Sequence, residues 1–292
     1  MRVTETMRFD AVTTQLSRLS EKYMGAAQQA STGQRINAPS DDPVAAAEAA
    51  RIRASLSTTD AFRGAITLVR GDAQTAESSL DAAGQVLQRA LELAMTGANG
   101  STGPDEQKAL ATEANQLVAQ MVEIGNTKGA QGYLFGGTSL DTPAFDADGN
   151  FAGNDVDHIL QIGPGQPTAV NVSGARAFTS AGGRDVIQDL KSLATALVNG
   201  DSDAVRTSLD DLKNSHEQVV RERSRAGLVL NRLDLSDSLL AQGQTDLQSR
   251  SSAITSADTN EVYSKLTQLQ GSIQQAVSVG KQLLDTSTIQ RF

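Results

Sequence analysis

Side chains suited to catalysis or metal binding are few in this sequence. Its 292 residues contain no cysteine and only two histidines, His158 and His216. A metal centre or an activated nucleophile needs several such groups in one place, and these two are too few and too isolated. Histidines of this kind are typical of ordinary structural positions. We therefore predict no catalytic residue, no metal site and no cofactor, and a chain that is not an enzyme.

Acidic residues in the middle of the chain resemble a calcium-binding loop only weakly. Asp146, Asp148 and Asn150 alternate as calcium ligands do. The glycine among them comes two positions too early for such a loop, however, and no bidentate glutamate follows. An Asp-Gly pair between two phenylalanines is typical of a hairpin turn. We predict a turn here rather than a metal site.

A second acidic pair, Asp41 and Asp42, stands directly before Pro43. Adjacent carboxylates could suggest acid catalysis, but this order favours a helix start, where an aspartate caps the first turn and proline loses no hydrogen bond. From Thr59 apolar residues recur three and four apart up to Gly97, so a helix unbroken from Pro43 is about 80 Å long. Pro104 predicts the start of an antiparallel third helix.

Composition excludes several classes of partner. The formal charge is -9 and the pI is near 4.8, so the chain lacks the concentration of lysine and arginine that nucleic acid or an anionic membrane requires. No apolar run approaches the 18 residues of a membrane span, and the first residues do not resemble a Sec signal peptide. Aromatic residues make up 3% and tryptophan is absent, which favours paired helices over a thick core.

Both ends of the chain carry one narrow apolar stripe with three- and four-residue spacing. We predict that the two end helices pair and that their stripes form an assembly seam. A lone pair of such helices buries little surface, so we expect the ends to stay disordered until other subunits surround them. The predicted seam residues are Phe9, Val12, Leu16, Leu19 and Tyr23 in the first helix, and Val262, Leu266, Leu269, Ile273 and Leu283 in the last.

The order of the patterns predicts a nested, mainly α architecture. We expect an elongated antiparallel coiled-coil rod with a small central β-rich insertion, whose strands lie near 159–162 and 169–172. A seven-residue spacing also runs from Val205 to Ile254 and predicts a second long helix. The predicted domains are a terminal coiled coil (1–32 with 258–292), a helical rod (33–137 with 183–257) and a β-rich insertion (138–182).

Three stretches of the sequence, taken together, resemble the flagellin family of bacterial axial proteins. They are Leu19–Arg53, which contains Ser31–Ala46, then Gly132–Gly137, and finally Arg223–Gly227 together with Asn231–Leu233. Within the first, the order Pro-Ser-Asp-Asp-Pro-Val-Ala-Ala is similar to hook-associated members of that family rather than to filament flagellins. The resemblance covers both helical arms, residues 1–137 and 183–292.

The resemblance implies a structural role in the flagellum. Such a protein forms a ring of its own copies between hook and filament, with the first hook-associated protein on one side and flagellin on the other. It is secreted through the flagellar type III channel without a cleaved signal peptide, and it has an export chaperone. A filament flagellin is the nearest alternative, and a coiled-coil adaptor or adhesin is the alternative from another class.

The loop between the first two helices is the remaining candidate site. Gly33 can adopt a positive φ, and Pro39 and Pro43 stiffen the backbone on the way to the Asp42 cap. We expect this inter-domain loop to set the direction in which the terminal helix leaves the rod.

Overall fold

The fold is dominated by α-helices. A computed structural model describes residues 2–99 and 103–289, with side chains for Met7, 9–99 and 103–282. The described helices are α1 (Arg2–Thr32), α2 (Pro43–Gly97), α3 (Pro104–Gly125), α4 (Gly174–Phe178), α5 (Val186–Asn199), α6 (Ser202–Thr255) and α7 (Thr259–Ile289). The described strands are β1 (Ile159–Gln161) and β2 (Pro167–Ala169). The predicted mainly α fold with a small β element is confirmed, and none of the described helices is long and apolar enough to cross a membrane.

Short local signals set the helix ends. The Asp42 carboxylate accepts a hydrogen bond at 3.0 Å from the amide three residues on, which caps the first turn of α2. Asp185 caps α5 and Asp201 caps α6 in the same way. Between them Gly200 ends α5 with a φ of 65°, a left-handed conformation that residues with a Cβ avoid. The helix start predicted at Asp42 is confirmed.

The chain folds as two compact units. The first contains Met1–Thr58 and Gly243–Phe292, and therefore α1, α7 and the adjoining ends of α2 and α6; we call it the terminal unit. The second contains Thr59–Gln242, and we call it the central unit. The three-part division made from the sequence, with boundaries near residues 32, 137, 183 and 257, stays a prediction.

The core of the central unit consists of narrow stripes of small aliphatic side chains. On α6 the seven-residue spacing is buried from Val205 to Leu233. Because alanines are frequent in the α2 stripe, that helix can lie close to its neighbours. The buried α2 residues of this unit are Ile66, Val69, Ala73, Ala76, Leu80, Ala83, Val86, Leu87, Ala90, Leu93 and Ala94.

Three phenylalanines fasten the segment between α3 and α5 into this core. Phe135 and Phe178 meet edge to face with ring centroids 5.2 Å apart, and Phe178 meets Phe145 in the same way at 5.8 Å. All three side chains are at most 2% exposed and belong to one cluster with the helical stripes. Such ring pairs contribute about 0.5–1.5 kcal/mol beyond their burial. The central segment therefore shares one core with the helices.

The β element differs from its prediction at the second strand. β1 lies where the first strand was predicted, and it pairs antiparallel with β2. The second strand was predicted at 169–172, and those bounds are wrong because the strand occupies Pro167–Ala169. Beyond it the chain turns inward to α4, whose N-cap is the Ser173 hydroxyl. A Cβ at Gly174 would collide with a backbone carbonyl, so this turn requires glycine.

A buried polar side chain, Gln218 of α6, holds the chain between α4 and α5. Its amide nitrogen lies 3.0–3.3 Å from the carbonyl oxygens of Ala177, Thr179 and Arg184, and its oxygen accepts a hydrogen bond from Arg184 N at 2.8 Å. Gln218 is 1% exposed, so no water replaces these bonds. The Arg184 guanidinium in turn pairs with the buried Asp189 carboxylate.

Replacing Gln218 with leucine should destabilise the central unit. Gln218→Leu keeps a similar volume but leaves buried carbonyls without a donor, at a cost of about 2–4 kcal/mol in the free energy of unfolding. Urea unfolding followed by circular dichroism measures this loss. Gln74→Leu, at an exposed position of α2, is the control and should change the free energy by less than about 0.5 kcal/mol. Equal stability of the two variants would contradict the assigned role.

Candidate assembly surfaces

Asp146, one of the candidate calcium ligands, and the backbone of His158 form hydrogen bonds within the fold. The side-chain amide and backbone N–H of Asn150 donate to the Asp146 carboxylate at 2.9 and 2.8 Å, and they hold the pKa of Asp146 below its ordinary value. These bonds close the predicted turn. His158 donates its backbone N–H to the Asn171 side chain at 2.8 Å. Within the described residues, no group of three or more histidines, cysteines or acids could hold a metal ion.

In the terminal unit, α1 and α7 pack against each other, while the predicted assembly seam stays a prediction. The helices lie close together, because a Cβ at Gly280 would stand 3.5 Å from Val12 Cγ1. Val262 is only 6% exposed, whereas Phe9 is 49% exposed. The side chain of Leu283 lies outside the described residues. The other seam residues are half-buried: Val12, Leu16, Leu19, Tyr23, Leu266, Leu269 and Ile273.

The pairing leaves much of the apolar surface of the terminal helices uncovered. An open groove runs between them, lined by Val12 and Leu19 on α1 and by Ala276 and Val279 on α7. Of the described side chains in this unit, four hydrophobic ones are fully buried: Ala26, Ala49, Ile52 and Val262. Several large ones are exposed by 49–66%, namely Met7, Phe9, Met24, Tyr263 and Val279. Apart from Phe9, the sequence prediction missed these exposed residues, because they lie off the main stripe.

The loop between α1 and α2 is ordered by backbone hydrogen bonds, both within the loop and to the connection between α6 and α7. Gly33 leaves α1 with a φ of 66°, and its carbonyl accepts a bond from Ala257 N at 2.9 Å. Pro39 lies inside a turn that the Asp41 N–H closes by donating to the Ala38 carbonyl at 3.0 Å. Pro43, the last of the predicted loop residues, is the first residue of α2. The predicted loop residues therefore form one compact connection.

Arg35 fastens this loop to the end of α6, a role that the sequence did not indicate. Its backbone N–H donates to the Thr255 carbonyl at 2.7 Å, and its guanidinium donates to the Ile254 carbonyl at 3.0 Å. The same guanidinium pairs with Asp42 at 3.1 Å. Carbonyls in the last turn of a helix lack partners within that helix, so an arginine is a suitable donor for them. One side chain thus joins the end of α6 to the start of α2.

Comparison with known proteins identifies the relatives of this fold. The bacterial flagellin N-terminal helical region matches residues 5–139. Flagellar hook-associated protein 3 of Salmonella typhimurium is 25% identical over 298 residues, covering 94% of each chain. The Escherichia coli protein of the same name is 27% identical over 255 residues, covering 78% of this chain and 80% of that one. The flagellar junction protein FlgL from Legionella pneumophila, with a TM-score of 0.58 over 73% of this chain and 100% of its own, shares the fold at 15% identity.

Fold, family match and relatives agree on the class: residues 5–139 are similar to the bacterial flagellin N-terminal helical region, and the chain is a structural protein of the bacterial flagellum and not an enzyme. The chain is similar to the hook-associated type, because its relatives matched over most of their length include flagellar hook-associated protein 3 from two bacteria. The resemblance drawn from the three sequence motifs is confirmed.

Removing the Arg35 side chain should loosen the loop without unfolding the central unit. Arg35→Ala deletes the bonds to Ile254 and Asp42, and we expect amide hydrogen exchange of residues 34–45 to become about five- to tenfold faster, corresponding to about 1 kcal/mol. Hydrogen exchange read by mass spectrometry measures this. Arg51→Ala removes an arginine that is 81% exposed and should leave the loop unchanged. Unaltered exchange in Arg35→Ala would show that the arginine does not hold the loop.

The same loop should respond to acid through Asp42. The N–H of Ala45 and the Arg35 guanidinium both favour the ionised carboxylate and lower the pKa of Asp42. The contribution of Asp42 is therefore complete above about pH 3.9, its unfolded value, and is lost as the pH falls through the lower folded value.

This pH dependence can be measured by NMR titration of the Ala45 amide. The wild-type chain should show a midpoint below about 3.9. The asparagine side chain in the variant Asp42→Asn can still cap the helix but does not titrate, so the transition should disappear in that variant. A wild-type midpoint at or above the ordinary aspartate value would contradict the assigned contacts.

Proposed function

We propose that this chain forms the junction between the hook and the filament of a bacterial flagellum, as a ring of copies that bond through their terminal helices. The observation that carries the proposal is the incomplete burial of the α1–α7 pair. Its seam residues are only half-buried, and an open groove separates parts of the two helices. Apolar surface left in water gives a large gain in free energy when further helices cover it.

The proposal assigns different roles to the two units. The central unit has two buried hydrophobic clusters, the larger of which includes three phenylalanines, and it needs no partner to fold. The terminal unit keeps large apolar side chains such as Met7 and Phe9 exposed. Covering them by neighbouring copies contributes roughly 25 cal/mol per Å² of apolar area. The central unit therefore presents a stable body, while the terminal unit supplies the bonding surface.

The similarity to flagellar hook-associated protein 3 supports a proposal about the neighbours. They are the first hook-associated protein on the hook side, flagellin on the filament side, and further copies of the chain around the ring. We propose export through the flagellar type III channel with an export chaperone. The absence of cysteine supports that route, since no disulfide has to form. The half-exposed terminal stripes supply apolar surface that a chaperone would cover.

Deletion of the gene in its own bacterium tests the proposed function. Cells observed by electron microscopy should carry hooks without filaments, and flagellin should accumulate in the medium. Normal filaments on the deletion strain would overturn the junction role and leave the filament-flagellin or adaptor alternatives. Restoration of filaments by the unaltered gene on a plasmid is the control for effects on neighbouring genes.

Two adjacent positions of α7 offer a matched test of the seam. Leu269 lies on the half-buried stripe, and Gln268 beside it is exposed. Leu269→Ser should weaken the terminal bonding surface by about 1–2 kcal/mol per copy, and filaments on the complemented deletion strain should become rare. Gln268→Ser should restore filaments fully. Counting filaments per cell measures both, and equal counts would show that the stripe is not the bonding surface.

A further inference from the structure

Three leucines on α6 lie in register on an outward face that the fold itself does not use. Leu228, Leu235 and Leu239 are 68%, 61% and 58% exposed. Separations of seven and four residues place them on one side of an α-helix. A single exposed leucine is ordinary on a protein surface, but three in one stripe are typical of a contact surface. We name these three side chains the leucine stripe.

The opposite side of the same helical segment packs against other residues of the central unit. Leu233 is buried in a cluster with Ile66 of α2 and with Ile162, which follows β1. Ser236 donates its hydroxyl to the Ile162 carbonyl at 2.8 Å. These inward contacts hold the segment in place, so the leucine stripe is not needed for folding of the central unit.

Two arginines continue the pattern of the leucine stripe, Arg232 between Leu228 and Leu235 and Arg225 before Leu228. Arg225 and Arg232 extend the stripe with the same three- and four-residue spacing, which is typical of a helix that packs against another helix. Arg225 also pairs with Glu222 of its own helix, so Arg232 is the main cationic group of the stripe. The two aspartates of this segment, Asp234 and Asp237, pair instead with arginines of α2. The stripe is therefore both apolar and cationic.

We propose that the leucine stripe binds a second copy of this chain, in the ring that the proposed function requires. The chain carries 34 acidic and 25 basic residues, so a cationic strip on one copy faces a predominantly acidic surface on the next. A two-fold axis through the stripe would bring Arg232 against the partner's Arg232, which is repulsive. The contact is therefore head to tail, the arrangement that generates rings and helical assemblies.

The central unit offers a matching acidic and apolar surface at the end where α3 begins. Asp105 and Glu106 are exposed in the first turn of α3. Met95, near the end of α2, and Val198, near the end of α5, are 55% and 59% exposed. These helix ends meet, because a Cβ at Gly97 of α2 would touch leucines of both α3 and α5. Leucines of one copy can cover these apolar side chains while its arginines face the carboxylates.

A photo-crosslinking residue in place of Leu235 identifies what covers the stripe. The full-length chain carrying benzoylphenylalanine at that position is expressed in the deletion strain, and intact flagella are illuminated. The expected adduct has the mass of two copies of this chain. An adduct with flagellin, with another hook-associated protein or with nothing would overturn the proposal. The same variant, illuminated as exported monomer in the medium, is the control and should give no adduct.

Substitutions test the contribution of the stripe to assembly. The triple variant Leu228→Ser, Leu235→Ser, Leu239→Ser and the single variant Arg232→Glu should each leave the unfolding midpoint unchanged, because these side chains are exposed. Each should shed at least about tenfold more flagellin into the medium, since buried leucines and paired charges dominate the energetics of such contacts. Leu68→Ser removes a leucine of α2 that is 48% exposed and is the matched control, expected to behave as wild type. Wild-type shedding from both stripe variants would overturn the proposal.

The two proposals fail in different ways. Normal filaments on the deletion strain would remove the junction role, whatever the stripe binds. Hooks without filaments, together with an absent chain-to-chain adduct from position 235, would leave the junction role intact and reject the leucine stripe as a contact between copies.

Discussion

A helix with one narrow apolar stripe must bury that stripe against other helices, because hydrogen bonding within the helix alone does not offset the loss of chain entropy. The central unit meets this constraint within one chain: four long helical segments and three phenylalanines cover one another's stripes. The terminal unit meets it only in part, since α1 and α7 bury one edge of each stripe and leave a groove open. The central and terminal units therefore differ in how many neighbouring helices cover each apolar stripe, and not in the chemistry of their side chains.

Much of the helical frame could be predicted because its signals are local. Asp42, Asp185 and Asp201 each cap the helix that follows them, and the seven-residue spacing from Val205 lies on the long helix α6, as predicted. A cap or a heptad involves residues within one or two turns, so the sequence contains the whole interaction. The bounds of β2 failed because three-residue strands have weak patterns, and here core packing turns the chain into α4 early.

The polar residues that join distant segments could not be predicted. Arg35 binds the Ile254 carbonyl across 219 residues of sequence, and Gln218 of α6 binds carbonyls on the chain between α4 and α5. Their partners are backbone groups, which every residue possesses, so no complementary side chain marks the pairing in the sequence. For the exposed leucines of α6, the spacing is visible in the sequence, but the side of the helix that they occupy is not. The structure shows that Leu233 and Ser236 make the inward contacts of this segment, so the leucines face outward. Both kinds of residue become recognisable once the helices have been placed.

The division between the two units is compatible with the proposed assembly. In the proposed ring, neighbouring copies bury the terminal stripes, and the free energy gained scales with the number of neighbours. The net charge of -9 opposes association of free copies in solution, because like-charged copies repel one another weakly at long range. Association is then limited to surfaces that are complementary in shape and in apolar contact. In the proposed assembly, terminal stripes that one chain covers only in part provide the attraction, and the acidic net charge keeps free copies apart, so association is restricted to the growing structure.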